Sequence, residues 1–293
     1  MFRGAYTALV TPFKNGRVDE EAIERLVERQ IADGIHGLVP CGTTGESATL
    51  SYAEHIHVIE VTMRAAKGRV PVLAGAGSNS TREAIEISRA CKELGVDGTL
   101  QVVPYYNKPS QQGLIRHFTE IADTVGLPVV LYNVPGRTVA DLQAETVAEL
   151  AKHELIVGIK EATADMYRAQ RIRELCGPEF NLLSGDDFTI LPFLASGGDG
   201  VVSVVSNPVP GLVAQLCDAV KAGDLAKARE LQYRHLPLTR ALFIDANPIP
   251  VKAAMAHLGL MENELRSPLF PLDPTSEVAA PLRAALEEIG AKA

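Results

Sequence analysis

The chain has 293 residues, of which 46% are apolar and 22% charged, as is typical of a globular protein with a large core. A net charge of −8, without a long basic stretch, argues against binding to nucleic-acid phosphates. No apolar run reaches the roughly 18 residues that span a bilayer, and the first residues lack a signal-peptide pattern. The four cysteines form no Cys-x-x-Cys pair, so we expect a cytoplasmic protein with reduced thiols and no membrane partner.

Short apolar and β-branched runs recur about every 30 residues, the period of β-α units. Eight strands, each followed by a helix, predict a (β/α)8 barrel, with an open doubly wound sheet as the alternative. The predicted strands are Ala5–Val10, Gly37–Pro40, Val70–Ala74, Gly98–Val103, Pro128–Tyr132, Ile156–Lys160, Asn181–Ser184 and Gly200–Val205.

Amphipathic stretches between these runs predict the helices of the barrel. Two of them begin with the signature of a capping box, Ser51 with Glu54 and Ser80 with Glu83. The predicted helices include Glu20–Ala32, Tyr52–Ala66, Arg82–Leu94 and Leu142–Ala151.

The strand pattern stops after about residue 222, and only helical patterns follow. We therefore divide the chain into a barrel domain of residues 1–222 and a C-terminal helical domain of residues 223–293. The three helices predicted in the second domain are Leu225–Phe243, Pro248–Leu258 and Glu277–Ile289.

The apolar run Leu155-Ile-Val-Gly-Ile-Lys160 predicts a buried parallel strand that ends in a lysine. Of the ten lysines, only Lys160 is predicted to end a strand. Desolvation disfavours the charged form of lysine, and a neutral amine is a nucleophile towards carbonyl groups. The alternative is a lysine that extends to the surface or pairs with Glu161.

The active site of a barrel lies where the strands end, so the polar residues after each strand are candidates for chemistry. Lys160 can form an imine with a ketone, and tyrosine and threonine hydroxyls can relay the protons. Backbone N–H groups at Thr43 and Thr44 can hold one carboxylate, and Arg137 can hold a second. The pattern predicts a 2-oxo acid and a second substrate that also carries a carboxylate.

Other sites are less well supported by the sequence. Gly42–Gly45 could be a plain turn, since it lacks the P-loop pattern, and Gly75–Gly77 is only half of a dinucleotide fingerprint. Asp186 and Asp187 could hold a cation, but no histidine motif supports a catalytic metal. His55 and His57 are two apart on a helix and face different ways. We expect no metal and no nucleotide cofactor.

Several segments form patterns more specific than a barrel in general. They are Gly42-Thr-Thr-Gly-Glu46, Pro104-Tyr-Tyr-Asn107, Tyr132-Asn-Val-Pro-Gly-Arg-Thr138, Gly158-Ile-Lys-Glu-Ala-Thr163, Leu183-Ser-Gly-Asp-Asp187 and Asn247-Pro-Ile-Pro-Val-Lys252. With these segments the chain resembles the dihydrodipicolinate synthase family, within the pyruvate-dependent class I aldolases, over essentially its whole length. The resemblance implies a lyase that condenses pyruvate with L-aspartate 4-semialdehyde, the first committed step towards diaminopimelate and lysine.

The resemblance also implies roles for particular residues. Lys160 would form the Schiff base with pyruvate, and Tyr132 would donate and accept protons. Thr43 and Tyr106 would complete a proton relay, with Tyr106 reaching into a neighbouring subunit of a homo-oligomer, a dimer or a dimer of dimers. The substrates would be held by Thr44, by the main-chain carbonyl of Val202, and by Arg137 near Gly185.

The family further implies feedback inhibition by L-lysine in a pocket at a dimer interface. Tyr52 stands where some lysine-sensitive members have a histidine. The corresponding pocket residues are Ser47, Ala48, Leu50, His55, Asn79, Glu83 and Tyr105.

Two alternatives remain open from the sequence. One is another member of the superfamily, such as an N-acetylneuraminate lyase or a keto-deoxy sugar acid aldolase, for which Arg137 would have less use. The other is a non-catalytic regulatory protein on the same scaffold, which would be expected to lack Lys160 or Tyr132.

Overall fold

The apolar runs of the sequence pair as a barrel of eight parallel strands in the computed structural model, which describes residues 2–292. An antiparallel hairpin of two short strands, Phe13–Lys14 and Arg17–Val18, precedes the first helix. The strands are β1 (Gly4–Ala8), β2 (Phe13–Lys14), β3 (Arg17–Val18), β4 (Gly37–Val39), β5 (Leu73–Gly75), β6 (Gly98–Val102), β7 (Val129–Asn133), β8 (Ile156–Glu161), β9 (Asn181–Ser184) and β10 (Gly200–Ser203).

The barrel strands lie in the order β4-β1-β10-β9-β8-β7-β6-β5. A parallel bridge between Leu38 and Val72 joins the two ends of this order and closes the sheet. The prediction of a (β/α)8 barrel is therefore confirmed, and the open sheet is wrong.

Two details of the predicted strands need correction. β8 continues one residue beyond Lys160 to Glu161, so the lysine is the penultimate residue of its strand. Lys14 ends the short strand β2, so Lys160 is not alone among the lysines in lying at a strand end. The hairpin was not predicted because two residues per strand are too few for an alternating pattern.

Helices cover the outside of the barrel and continue beyond its last strand. The predicted helices agree with the observed ones within three residues at each end. The helices are α1 (Glu20–Ala32), α2 (Tyr52–Ala66), α3 (Thr81–Glu93), α4 (Gln111–Val125), α5 (Pro135–Thr138), α6 (Ala144–Leu150), α7 (Met166–Cys176), α8 (Ile190–Ala195), α9 (Pro210–Lys221), α10 (Leu225–Leu242), α11 (Ile249–His257) and α12 (Ala280–Ile289).

Only one of the two predicted capping boxes is complete. Ser51 and Glu54 satisfy each other's backbone N–H groups at the start of α2. At the start of α3, Ser80 accepts from the N–H of Glu83, but the Glu83 carboxylate accepts from the Ser78 hydroxyl instead of closing the box. Ser78 Oγ in turn accepts from the N–H of Ser80, at 3.1 Å. The serine two residues before the cap therefore replaces half of the box.

Side chains alternate between the inside and the outside of the barrel along each strand. In β7, Val130 and Tyr132 belong to the cluster that fills the barrel, whereas Val129 and Leu131 pack under the surrounding helices. Val202 of β10 also belongs to the inner cluster. The alternation therefore places every second side chain of a strand inside the barrel.

The C-terminal helices α10, α11 and α12 share an apolar cluster with the barrel. This cluster contains Leu238 and Met255 from the helices together with Leu38 and Val201 from the strands. The division at residue 222 stays a prediction. None of the helices in residues 2–292 has the length and apolar character needed to cross a membrane.

Candidate active site

The predicted nucleophile lies inside the barrel against a tyrosine. Lys160 and Tyr132 are Cα partners in the adjacent strands β8 and β7, and each is 7% exposed. The Nζ atom of Lys160 lies 4.2 Å from the centroid of the Tyr132 ring. An amine at this position is sheltered from bulk water and stands beside a hydroxyl-bearing ring, as imine chemistry requires.

A glycine leaves room for the Lys160 side chain. A Cβ atom at position 185 would lie 3.0 Å from Cε of Lys160 and 2.6 Å from Cβ of Ala162, so any larger residue would displace the lysine. Leu183 and Val202 belong to the same inner cluster as Tyr132. The structure thus brings Gly185 into contact with Lys160, and places Val202 on the inner wall with Tyr132.

The segment Gly42–Glu46 forms a compact turn after β4. Hydrogen bonds from the N–H groups of Gly45 and Glu46 to the carbonyls of Gly42 and Thr43, both 3.1 Å, close the turn. Across residues 2–292, the N–H groups of Thr43 and Thr44 make no hydrogen bond to the protein. Two free N–H groups beside the Thr44 hydroxyl are suited to a carboxylate.

Asn247, which lies between α10 and α11, links two of the predicted binding residues. Its side-chain Nδ2 donates to the Thr44 hydroxyl oxygen at 2.9 Å, and its main-chain carbonyl accepts from Nη2 of Arg137 at 3.2 Å. The Thr44 oxygen is therefore an acceptor towards Asn247, which leaves the hydroxyl proton free to donate elsewhere. Thr44 and Arg137 are both held by this one residue, with Arg137 exposed.

Tyr106 differs from the other predicted catalytic residues because its side chain points away from the rest of its own chain. Its side chain is 89% exposed, and its backbone has φ +73°, in the left-handed region that residues with a side chain rarely adopt. No hydrogen bond within the described residues joins Tyr106 to Tyr132 or Thr43. An aromatic ring held outward by a strained backbone is suited to contact with another chain.

A second pair of residues locks the strands next to the lysine and the tyrosine. Asn133 and Glu161 are also Cα partners of β7 and β8, and Nδ2 of Asn133 donates to the Glu161 carboxylate at 3.1 Å. Burial raises the pKa of Glu161, and hydrogen bonds from Thr163 and Asn133 oppose that shift. This side-chain bond fixes the register that brings Lys160 to Tyr132.

The two aspartates that the sequence offered as possible cation ligands, Asp186 and Asp187, form hydrogen bonds within the fold. Asp187 is buried, and Oδ2 of its carboxylate accepts from the N–H groups of Val204 and Val205 at 2.8 and 3.1 Å. Burial raises the pKa of Asp187 to about 6. Asp186 accepts from the Thr189 hydroxyl at 2.6 Å. In the described part of the chain, no three or more His, Cys, Asp or Glu residues converge as metal ligands.

Two predicted regulatory residues lie on neighbouring helices, His55 on α2 and Glu83 on α3. His55 is buried, and its Nε2 donates to the carbonyl of Gly75 at 2.7 Å. Burial lowers the pKa of His55, while the hydrogen bond to Gly75 and the nearby charge of Glu83 oppose that shift. His57 lies on another face and pairs with Glu20 at 2.9 Å, so the prediction that the two histidines face different ways is confirmed.

The other predicted regulatory residues lie on neighbouring loops. Asn79 donates from Nδ2 to the carbonyl of Tyr105 at 3.1 Å, which joins the loops after β5 and β6. Within residues 2–292, no hydrogen bond connects the segment that follows the Thr44 turn to His55, Asn79, Glu83 or Tyr105. The predicted regulatory residues in that segment are Ser47, Ala48 and Leu50.

The segment Asn247–Lys252 is part of the family pattern, but the sequence alone assigns no role to its residues. Asn247 lies beside Thr44 and Arg137, and Lys252 is fully buried against Glu46. Asn133 was also missed, although it directly follows Tyr132. The sequence shows that these residues are polar, but only the fold shows that they lie beside the predicted site residues.

Comparison with known proteins identifies the family. The family model for the dihydrodipicolinate synthetase family matches residues 1–288. The chain belongs to this family. A curated 4-hydroxy-tetrahydrodipicolinate synthase from Nitratidesulfovibrio vulgaris (strain DP4) is 54% identical over 277 residues, which cover 94% of this chain and 95% of the relative.

Two solved structures of dihydrodipicolinate synthases superpose closely on this chain. The enzyme from Acinetobacter baumannii, solved in complex with pyruvate, is 43% identical with a TM-score of 0.97, covering 99% of this chain and 100% of that one. The enzyme from Cyanidioschyzon merolae, solved with lysine bound, is 44% identical with a TM-score of 0.95, covering 99% and 98%. These relatives support a synthase over the aldolases that the sequence left open.

Proposed function

We propose that this protein is a 4-hydroxy-tetrahydrodipicolinate synthase that condenses pyruvate with L-aspartate 4-semialdehyde through an imine on Lys160. The observation that carries the proposal is the buried Nζ of Lys160, 4.2 Å from the ring centroid of Tyr132 inside the barrel. The family model and the curated relatives, which bear the name of this synthase, support the same reaction.

The first half of the reaction uses the amine and the tyrosine. Nζ of Lys160 attacks C2 of pyruvate, and loss of water from the adduct gives a protonated imine. The imine withdraws electrons from C3, so a C3 proton can leave and an enamine forms. Tyr132, packed against the amine, is the group in reach to move these protons.

The carboxylate of pyruvate fits the turn after β4. The N–H groups of Thr43 and Thr44, which have no partner within the described residues, offer donors. The Thr44 hydroxyl keeps its proton available because its oxygen accepts from Asn247. The main-chain carbonyl of Val202, on the inner wall of the barrel, lines the same pocket. These contacts add no net charge and orient C2 towards Lys160.

The second half of the reaction brings in the aldehyde. C3 of the enamine attacks the aldehyde carbon, and the aldehyde oxygen takes a proton to become a hydroxyl. The amine of the semialdehyde then attacks C2 of the imine, closes the ring and releases Lys160. Arg137, which is exposed and donates to the main-chain carbonyl of Asn247, binds the carboxylate of this substrate near Gly185 by its planar guanidinium.

The proton relay would need a second copy of the chain. We assign Thr43 and Tyr106 to the relay with Tyr132, and the outward position of Tyr106 supports a homo-oligomer in which it enters the partner's site. The imine itself is the electron sink of the reaction, so no metal or nucleotide cofactor is required. The unpaired cysteines suit a reducing compartment, in keeping with a cytoplasmic enzyme.

We also propose that L-lysine inhibits the enzyme at the pocket of Ser47, Ala48, Leu50, His55, Asn79, Glu83 and Tyr105. Glu83 offers a carboxylate to an ammonium group, and Asn79 and Tyr105 offer donors to the carboxylate of the ligand. Tyr105 directly precedes Tyr106, so occupancy of the pocket can act on the relay. The related enzyme solved with lysine bound supports this ligand.

Purified protein should be assayed with pyruvate and L-aspartate 4-semialdehyde, and in parallel with pyruvate and N-acetylmannosamine. We expect turnover only in the first assay, and none for Lys160→Ala in either. Turnover with the amino sugar instead would indicate an N-acetylneuraminate lyase, and full activity of Lys160→Ala would remove the imine from the reaction.

A further inference from the structure

A lysine and a glutamate form an ion pair that is completely enclosed between the barrel and the C-terminal helices. Nζ of Lys252, from α11, lies 2.5 Å from Oε1 of Glu46, and both side chains are 0% exposed. Nζ also donates to the carbonyl of Thr11 at 2.8 Å and lies 4.2 Å from the ring centroid of Phe13. The other oxygen of Glu46 accepts from the N–H of Arg266 at 2.9 Å.

Burying two charges costs free energy, so such a pair calls for an explanation beyond stability. Burial lowers the pKa of Lys252, and the attraction of Glu46 opposes that shift, so the pair itself favours the charged form of the lysine. Each oxygen of Glu46 has a donor, which leaves the pair fully satisfied. A buried pair of this kind specifies one arrangement of the segments that it joins.

The segment that the pair holds is the Gly42–Glu46 turn. Glu46 closes this turn with a left-handed backbone, φ +54°, which is strained for a residue with a side chain. Lys252 donates to the main-chain carbonyl of Thr11. The hydroxyl of the same Thr11 donates to the carbonyl of Gly45 at 2.7 Å. Lys252 therefore holds both the acid and the backbone at the end of the turn that carries Thr43 and Thr44.

The segment Asn247–Lys252 also holds the centre of the Gly42–Glu46 turn. Asn247, five residues before Lys252, donates to the Thr44 hydroxyl at 2.9 Å. We propose that Glu46 and Lys252 are positioning residues, which fix the Thr43–Thr44 turn in the orientation that binds the carboxylate of pyruvate. This inference rests on the proposed function, because it assumes that the turn receives that carboxylate.

A positioning role differs from a structural role in the kinetic constant that it changes. A structural defect lowers the fraction of folded enzyme, which reduces the apparent kcat and leaves the KM of the folded molecules unchanged. A turn that is wrongly oriented weakens the hydrogen bonds to the carboxylate, so the KM for pyruvate rises. We expect a rise of about tenfold, which corresponds to weakening one hydrogen bond to a charged group.

Three variants separate these roles. Lys252→Met leaves the buried carboxylate of Glu46 without its partner and is expected to lower the melting temperature. Glu46→Gln combined with Lys252→Met removes both charges, which is expected to recover most of the stability. Lys227→Met is the matched control, since Lys227 also pairs with a glutamate of the C-terminal helices, at 2.8 Å, but at the surface.

For each variant, the melting temperature, the KM for pyruvate and kcat at saturating pyruvate should be measured. The proposal predicts a KM raised about tenfold in the double variant despite its recovered stability, with kcat within threefold of the wild type and Lys227→Met unchanged. A KM within twofold of the wild type in the double variant would overturn the proposal. Failure of both Lys252 variants to fold would do the same, since the pair would then serve the fold itself.

The test also separates this inference from the proposed function. Borohydride trapping of pyruvate on the wild-type enzyme reports the imine independently of the pair. If the wild type traps pyruvate and the double variant binds it normally, only the positioning role fails. If the wild type traps no pyruvate, the proposed function fails first, and the positioning role with it.

Discussion

Lys160 and Tyr132 meet because they are Cα partners in the adjacent parallel strands β8 and β7. Parallel partners on one face of a sheet point the same way, so both side chains enter the barrel and the amine comes to lie over the ring. The next pair of partners, Asn133 and Glu161, is joined by a side-chain hydrogen bond that holds this register. The geometry of the proposed active site therefore follows from the pairing of two strands.

Tyr132→Phe should lose turnover while keeping the fold. The substitution retains the ring that packs against Lys160 and removes only the hydroxyl that would move protons. We expect kcat to fall by about 10²–10⁴-fold, the usual contribution of a general acid-base group. Tyr6→Phe is the control, because Tyr6 also points into the barrel, and an equal loss in both variants would contradict the assignment.

Arg137→Ala should impair the second substrate more than the first. The guanidinium is exposed and touches the carbonyl of Asn247, so its loss should leave the fold and the pyruvate pocket intact. We expect kcat/KM for the semialdehyde to fall by about 10–100-fold, or about 1.4 kcal/mol for each factor of ten, with normal trapping of pyruvate. Arg116→Ala, at another exposed arginine, is the control; equal damage to both substrates would indicate a structural role instead.

Tyr106 is predicted to act in the site of a partner subunit. Chains with Tyr106→Phe and chains with Lys160→Ala should each be nearly inactive alone. In a mixed dimer, the site with an intact Lys160 receives an intact Tyr106 from the other chain, so part of the activity should return. If verified mixed dimers remain inactive, the relay lies within one chain.

L-Lysine is predicted to bind and to inhibit partially, at millimolar concentrations or below. Glu83→Ala should weaken this inhibition while keeping most of the turnover, because it removes the carboxylate offered to the ligand's ammonium group. The Glu86→Ala variant, altered on the same helix, should be inhibited by L-lysine as strongly as the wild type is. If saturating L-lysine neither releases heat in calorimetry nor slows the wild-type enzyme, the pocket has no regulatory role.

The buried histidines should make the protein less stable as the pH falls below about 6.5. Burial lowers the pKa of His117 and of His235 to about 4. Between about pH 4 and pH 6.5, these histidines are therefore protonated in the unfolded chain but neutral in the folded chain. The stability that they contribute is present above pH 6.5 and is lost as the pH falls towards 4. Asp187 has the opposite effect on the free energy of unfolding, because its pKa is raised to about 6 and the folded chain therefore binds its proton more readily than the unfolded chain does.

The contribution of one histidine can be isolated by a substitution. His235 bonds through Nδ1 to the Thr239 hydroxyl at 2.8 Å, and His235→Gln removes its titration. Between pH 7 and pH 5, the free energy of unfolding of the variant should fall by about 1–2 kcal/mol less than that of the wild type. Urea unfolding at both pH values gives the difference, and identical falls would show that His235 does not titrate as proposed.

The barrel could be predicted from the sequence because each strand is a local apolar run and the runs recur at the period of β-α units. Lys160 and the Thr43–Thr44 turn could be found because strand ends are known to meet at one mouth. The contacts of Asn247 and Lys252 could not, since they join the turn to a segment about 200 residues away and leave no local pattern. The hydrogen bond of Glu83 to Ser78 also escaped prediction, because a standard capping box was available nearby.

The most direct test of this account is to incubate the protein with pyruvate and borohydride and to locate the adduct by peptide mass spectrometry. We predict one reduced pyruvate adduct per chain, on the peptide that contains Lys160, and none on Lys160→Ala. Lys252 is an internal control, because it is also buried but is occupied by Glu46 and Thr11. An adduct on another lysine, or no adduct on the wild type, would contradict the central claim that Lys160 forms the imine.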